Sequence, residues 1–248
     1  MTSATVEPLT ARPRVGPIVI AGFIGFLAGQ ILTLGLDALG ASLAHYPGGL
    51  SALARASSPP SWANALGLVG VWAGFAGAVY YAYHDGRLVP WAKQWRPRVS
   101  DVAYVGLGVA SQLVIDLAYA PFHLKSLSRP VTHLFSAAHG PGFVLVALMT
   151  TLGAPFFEEW LFRGVLLRAL VEGRRRTSRR AVALGVVGSA GLFALAHGEP
   201  LQFAGLFALG VVLGVVAYRT RRLAPSYIAH ASFNAVALIA VVSQRAGH

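Results

Sequence analysis

There is no cysteine among the 248 residues. That removes disulfides, thiolate nucleophiles and cysteine-ligated metal from consideration, and it leaves the redox compartment unmarked. Charge is also scarce: Asp, Glu, Lys and Arg make up 12% of the chain, about half of what soluble domains carry. Acid is scarcest, with nine Asp and Glu in all against twenty Lys and Arg. No G-x-S-x-G nucleophile elbow and no H-E-x-x-H zinc helix occurs. No internal repeat is evident either, and repeats are the usual sequence sign of a transporter.

What fills the chain is apolar: 55% hydrophobic residues and a mean hydropathy of +0.61. Several runs reach the roughly 20 residues that cross a bilayer. Seven spans are expected, at Val15–Ala44, Trp62–Tyr83, Val102–Ala120, Gly142–Leu170, Ala181–His197, Leu201–Tyr218 and Pro225–Val242. The first is too long for a signal-peptide core and lacks an obvious cleavage site, so it reads as a retained helix. The fold class is therefore all-α, a polytopic transmembrane bundle. Residues 1–14 form a polar tail, 15–140 the first membrane helices and an interfacial segment (Phe122–Ala138, with His123, Lys125, Arg129 and His133), 141–242 a four-helix core and 243–248 a short tail. Glycines such as Gly205, Gly210 and Gly214 fit close helix packing.

The net charge of +11 would suggest nucleic acid in a soluble chain, but its placement points to a membrane, and no nucleic-acid partner is expected. Fifteen of the basic residues fall in the N-terminal tail and the second, fourth and sixth loops. Only Arg55, Lys125, Arg129 and Arg245 fall on the other side. Cytoplasmic loops carry the excess of Lys and Arg, so the N-terminus is expected in the cytoplasm and the C-terminus outside. The richness in Ala, Gly and Arg points to a GC-rich bacterial genome. Composition says nothing of oligomeric state.

Against this apolar background the fourth span carries Glu158-Glu159-Trp-Leu-Phe-Arg163. Ionisable residues inside a span are functional-site candidates. Glu159 and Arg163 are four apart, acid first, the favourable order for an ion pair on one helix face. Glu158 lies about 100° around the helix, outside that pair, and so is available as a desolvated general base. Further on come Phe193-Ala-Leu-Ala-His197 and His230-Ala-Ser-Phe-Asn234. The spacing of four puts His230 and Asn234 on one face, and in hydrocarbon both must find polar partners. Glu199-Pro200 reads as a turn. A carboxylate, two imidazoles and an amide on three helices can activate a water and stabilise an oxyanion. They can equally complete a Glu158/His197/His230 site for one divalent metal, zinc above all.

In this order on successive spans, Glu-Glu-x-x-x-Arg, Phe-x-x-x-His and His-x-x-x-Asn resemble the CPBP family of CAAX prenyl proteases and bacteriocin-processing enzymes, also called Abi. The resemblance covers roughly Gly142 to Val242. It implies an intramembrane endopeptidase acting on a peptide or membrane-protein substrate in the lipid bilayer. Carried over by position, Glu158 and His197 would activate water, His230 and Asn234 would stabilise the oxyanion, and Glu159, Arg163 and Phe193 would support the site. A prenylated substrate is implied by the resemblance alone, and it favours a cavity open to the cytoplasm. A metal-free glutamate–histidine mechanism, with no cofactor, is favoured over a metallopeptidase, because Asn234 is a poor zinc ligand and Glu159 is already matched by Arg163. Two other readings compete: a proton-coupled transporter, since buried Glu and His also relay protons, and a non-catalytic scaffold or immunity protein.

One expectation runs against the shared site. Counted from the basic helix ends at 1.5 Å per residue, His230 lies about 9 Å deep and His197 about 22 Å. At least one helix boundary near them is therefore expected to be displaced.

Overall fold

A computed structural model describes residues 14–84, 88–91, 94–123, 129–173 and 178–246. The tail residues 1–13, Arg87, Lys93, Lys125 and Arg174 to Arg176, all used in the sequence reading, lie outside that set. Among the described residues every regular element is helical: α1 Val15–Leu43, α2 Gly49–Leu53, α3 Ser61–Tyr83, α4 Ala103–Tyr119, α5 Arg129–Phe135, α6 Gly140–Glu172, α7 Arg179–Ala196, α8 Phe203–Thr220 and α9 Ala224–Ala246. Tighter turns at Val99–Val102 and Ala120–Phe122 lengthen α4 at both ends. Seven of these helices are long and apolar enough to cross a membrane. The protein is a multi-pass membrane helical bundle.

Ile20, Phe23, Ile24, Ile31 and Leu34 on α1 are exposed, as lipid-facing residues of a span are. The inward faces meet through small residues. A Cβ on Gly25 would fall 2.5 Å from the Gly74 carbonyl oxygen, so α1 and α3 touch backbone to backbone. A Cβ on Gly210 would meet Ala190 at 2.9 Å, which brings α8 against α7 in the same way.

Most expected span ends agree with the helices to within a turn. The last helix runs beyond the expected Val242 to Ala246, through polar residues that a hydropathy reading stops at. Arg245 explains the extension. It donates to the carbonyls of Phe135 and Ala138, and its guanidinium lies 5.3 Å over the Phe143 ring. These contacts fasten the end of α9 to the α5 region, which is a short helix and not a span, as expected for Phe122–Ala138. The turn expected at Glu199-Pro200 lies between α7 and α8.

Pro155 does not stop α6. The helix widens into π-type turns on both sides of it, at Met149–Gly153 and Glu159–Leu167. Proline supplies no backbone N–H, and a widened turn is one way a helix absorbs the missing bond. Such π segments often mark functional positions, and this one begins at the second glutamate.

The start of α9 is the feature that a span count misreads. Leu223, Ala224 and Ser226 are all buried. The backbone N–H groups of Leu223 and Ala224 donate to the Gln94 carbonyl at 2.7 and 3.1 Å, and Trp95 stacks on Phe156 with 4.6 Å between ring centroids. Gln94 and Trp95 therefore fold over the start of α9, which begins inside the protein. The two histidines nonetheless meet the same side chain, Phe193, with the helix starts near them within two residues of those expected.

Candidate active site

Glu159 and Arg163 form the expected pair one turn apart on α6. Their side chains approach to 2.9 Å and both are fully buried. Arg163 also donates to the Gly210 carbonyl of α8 at 3.2 Å and lies 4.5 Å over the Phe193 ring of α7. Nearby, Ser189 of α7 donates to the Phe162 carbonyl at 2.8 Å. The ion pair thus ties α6 to α7 and α8. A buried pair survives only when its remaining polar atoms are matched, and these backbone contacts supply part of that.

His230 stands between the two glutamates. Its Nδ1 is 3.0 Å from Glu159 Oε1 and its Nε2 is 3.5 Å from Glu158 Oε2. The ring is buried, at 2% exposure. Glu158 is therefore not left to water and His197 alone, as the helix spacing had implied. His230 reaches it from α9, where no α6 residue does.

His197 caps the end of α7. Its Nδ1 lies 2.8 Å from the Phe193 carbonyl oxygen. A carbonyl only accepts, so Nδ1 carries the proton and the neutral ring keeps its lone pair at Nε2. Phe193 connects the two histidines: its ring centroid is 4.7 Å from His197 and 5.5 Å from His230. Asn234, one turn after His230, donates one amide N–H to the Thr150 carbonyl at 3.0 Å.

A cavity of about 620 Å³ is lined by Glu158, His197, Asn234 and Thr150. Those three predicted site residues share its wall. His230 is not part of the lining, and neither are Glu159 and Arg163, which lie behind Glu158 with Phe193. His230 and Asn234 do share a helix face, but the cavity reaches only the second of them.

The sequence reading missed the α4 side of the cavity. Gln112, Asp116 and Tyr119 line it at spacings of four and three. A polar line at helical period in an apolar span was the signal available. Gln112 donates to Asp116 at 2.8 Å, and the Tyr119 hydroxyl accepts the Gly205 backbone N–H at 3.0 Å.

The same geometry bears on a metal. Both His230 nitrogens face carboxylate oxygens, whereas His197 Nδ1 is held by a carbonyl and its Nε2 is left to the cavity side, an arrangement that a metal-binding histidine also shows. Among the described residues no three His, Asp or Glu side chains converge as a ligand set. No metal step is derived from Glu158, His197 and His230.

Comparison with known proteins finds a family similarity over the part of the chain that holds these residues. Residues 133–236 match the family model described as type II CAAX prenyl endopeptidase Rce1-like, in agreement with the resemblance carried by the three motifs. No curated protein and no solved structure matches the chain.

Proposed function

We propose that the protein hydrolyses peptide bonds in the 620 Å³ cavity by a glutamate–histidine mechanism, a reading supported by the similarity of residues 133–236 to the type II CAAX prenyl endopeptidase Rce1-like family. The observation that carries the proposal is the shared wall: Glu158, His197 and Asn234 come from three helices to one cavity.

A water between Glu158 and His197 donates one hydrogen to the carboxylate and the other to His197 Nε2. Glu158 takes a proton as the oxygen adds to the scissile carbonyl carbon. The tetrahedral oxyanion accepts the Asn234 N–H that is not spent on Thr150. Glu158 then returns its proton to the amide nitrogen, the C–N bond breaks, and a carboxylic acid and an amine leave. No atom is left over and no external oxidant or reductant is needed.

His230 acts here as a positioning residue and not as the oxyanion donor. Its ring is spent on the two carboxylates, and through Glu159 it fixes Glu158 relative to the buried Arg163. Pre-oriented groups of this kind lower the barrier because they need not reorganise during the reaction.

The substrate is a peptide or a membrane-protein segment. The wall is largely apolar, with Ile115, Leu134, Leu206, Phe233 and Leu238 among its residues, which suits an extended apolar segment or a lipid-modified one. The test is cleavage of a panel of quenched fluorescent peptides by the purified protein in detergent. Turnover that is lost in Glu158→Gln and in His197→Ala supports the mechanism. A protein that is folded and cleaves none of them, prenylated peptides included, contradicts it.

A further inference from the structure

The two ends of the bundle differ in chemistry, and the cavity belongs to one of them. At one end Arg168 donates to the Val89 carbonyl at 2.6 Å, Arg221 reaches Glu172 at 3.3 Å, and Arg222 is paired with Asp101. This end gathers the junctions α3–α4, α6–α7 and α8–α9. At the other end Asn64 donates to the Leu134 carbonyl at 2.8 Å, Tyr119 meets Gly205, and Arg245 meets Phe135 and Ala138. This second end gathers the start of α3, the end of α4, the α7–α8 turn and the end of α9.

The cavity lining lies towards the second end. It takes the later part of α4 (Gln112 to Tyr119), the α7–α8 turn (His197, Glu199) and the later part of α9 (Phe233 to Gln244). Among the described residues the first end is covered. Trp95 stacks on Phe156, one turn before Trp160, the Gln94 carbonyl caps α9, and the Asp101–Arg222 pair is buried beneath the chain.

The covered end is also the basic one. Arg14, Arg96, Arg98, Arg168, Arg179 and Arg219 are among the fifteen cations on that side of the sequence, against four on the other. Charge bias of this size orients a bundle with its basic loops in the cytoplasm. We propose that the cavity opens on the non-cytoplasmic face of the membrane. Its substrates are then polypeptide segments presented from that face, not the cytoplasmic C-terminal peptides that the resemblance alone would favour. The substrate half of this proposal rests on the peptidase reading; the sidedness does not.

The natural chain has no cysteine, so single reporter thiols can be placed without removing any. Leu201→Cys marks the cavity end and Arg219→Cys the basic end; both positions are exposed. In intact cells a membrane-impermeant maleimide should label Leu201→Cys, and should label Arg219→Cys only after permeabilisation. The reverse pattern overturns the proposal. Turnover is then compared in sealed right-side-out and inverted vesicles, with a water-soluble quenched peptide added outside. Cleavage by right-side-out vesicles, and by inverted vesicles only after detergent, is expected. Cleavage by sealed inverted vesicles at the same or a higher rate contradicts the proposal. If the detergent-solubilised protein cleaves no peptide, it is the peptidase reading that fails, and the labelling still decides the side.

Discussion

His230 Nδ1 lies 3.0 Å from Glu159 Oε1, so a residue at the start of the last helix holds the buried acid of the fourth span. With its 3.5 Å approach to Glu158, His230 joins the cavity wall to the ion pair behind it. His230→Ala removes a hydrogen bond to a charged group, and such bonds contribute about 1.5–3 kcal/mol. Turnover should fall by about tenfold to a hundredfold in kcat with KM little changed, together with a lower melting temperature. Steady-state kinetics and thermal unfolding in detergent read both. A change confined to KM would count against a positioning role.

Asn234 predicts a different pattern. One of its N–H groups is engaged by Thr150 and the other is available to the oxyanion. Loss of one such donor costs about 10²–10³ in kcat. Asn234→Ala should show that loss with substrate affinity nearly intact, measured by single-turnover kinetics and by inhibitor binding.

The Glu159–Arg163 pair predicts an effect on stability before one on activity. Both side chains are at 0% exposure, and removing one partner of a buried pair costs about 3–5 kcal/mol. Arg163→Met should lower the melting temperature and the yield of folded protein. The double variant Glu159→Leu/Arg163→Met should recover part of that stability but not the activity. Equal stability of the single variant and the natural chain would mean that the pair does not hold the helices.

Much of this was legible in the chain. The seven spans follow from apolar run length, and the Glu159–Arg163 pair follows from a spacing of four. What the spacing could not supply was depth. A helix start is taken to be a membrane surface, and the start of α9 is buried under Gln94 and Trp95. The resemblance gave His230 and Asn234 one role; of the two, Asn234 lines the cavity. Gln112, Asp116 and Tyr119 were marked by their helical period as one polar line, but that this line meets the cavity is settled by the packing of α4 on α9.

The cavity's charge yields a specificity prediction. Asp116, Glu158 and Glu199 line it, and no Lys or Arg does among the described residues, although the chain as a whole carries a net +11. Peptides with Lys or Arg beside the cleaved bond should have higher kcat/KM than those with Asp or Glu there. The preference should weaken with rising salt and in Asp116→Asn. An unchanged preference in that variant would remove the carboxylate from the explanation.

The ligand geometry predicts the response to chelation. With His230 held by two carboxylates and no three His, Asp or Glu side chains converging among the described residues, turnover should survive EDTA and 1,10-phenanthroline, and metal analysis of the active protein should give well under one ion per chain. Loss of turnover restored by added zinc would require these side chains to rearrange around an ion.

The most direct measurement is kcat/KM of Glu158→Gln on a cleaved peptide, with thermal unfolding in detergent as the check on folding. Glutamine keeps the shape of the side chain and removes the base, a contribution of about 10²–10⁴ for general acid–base catalysis. A fall of at least about a hundredfold with an unchanged melting temperature is the predicted result. A folded Glu158→Gln variant that cleaves at the natural rate would contradict the assignment of Glu158 as the catalytic base.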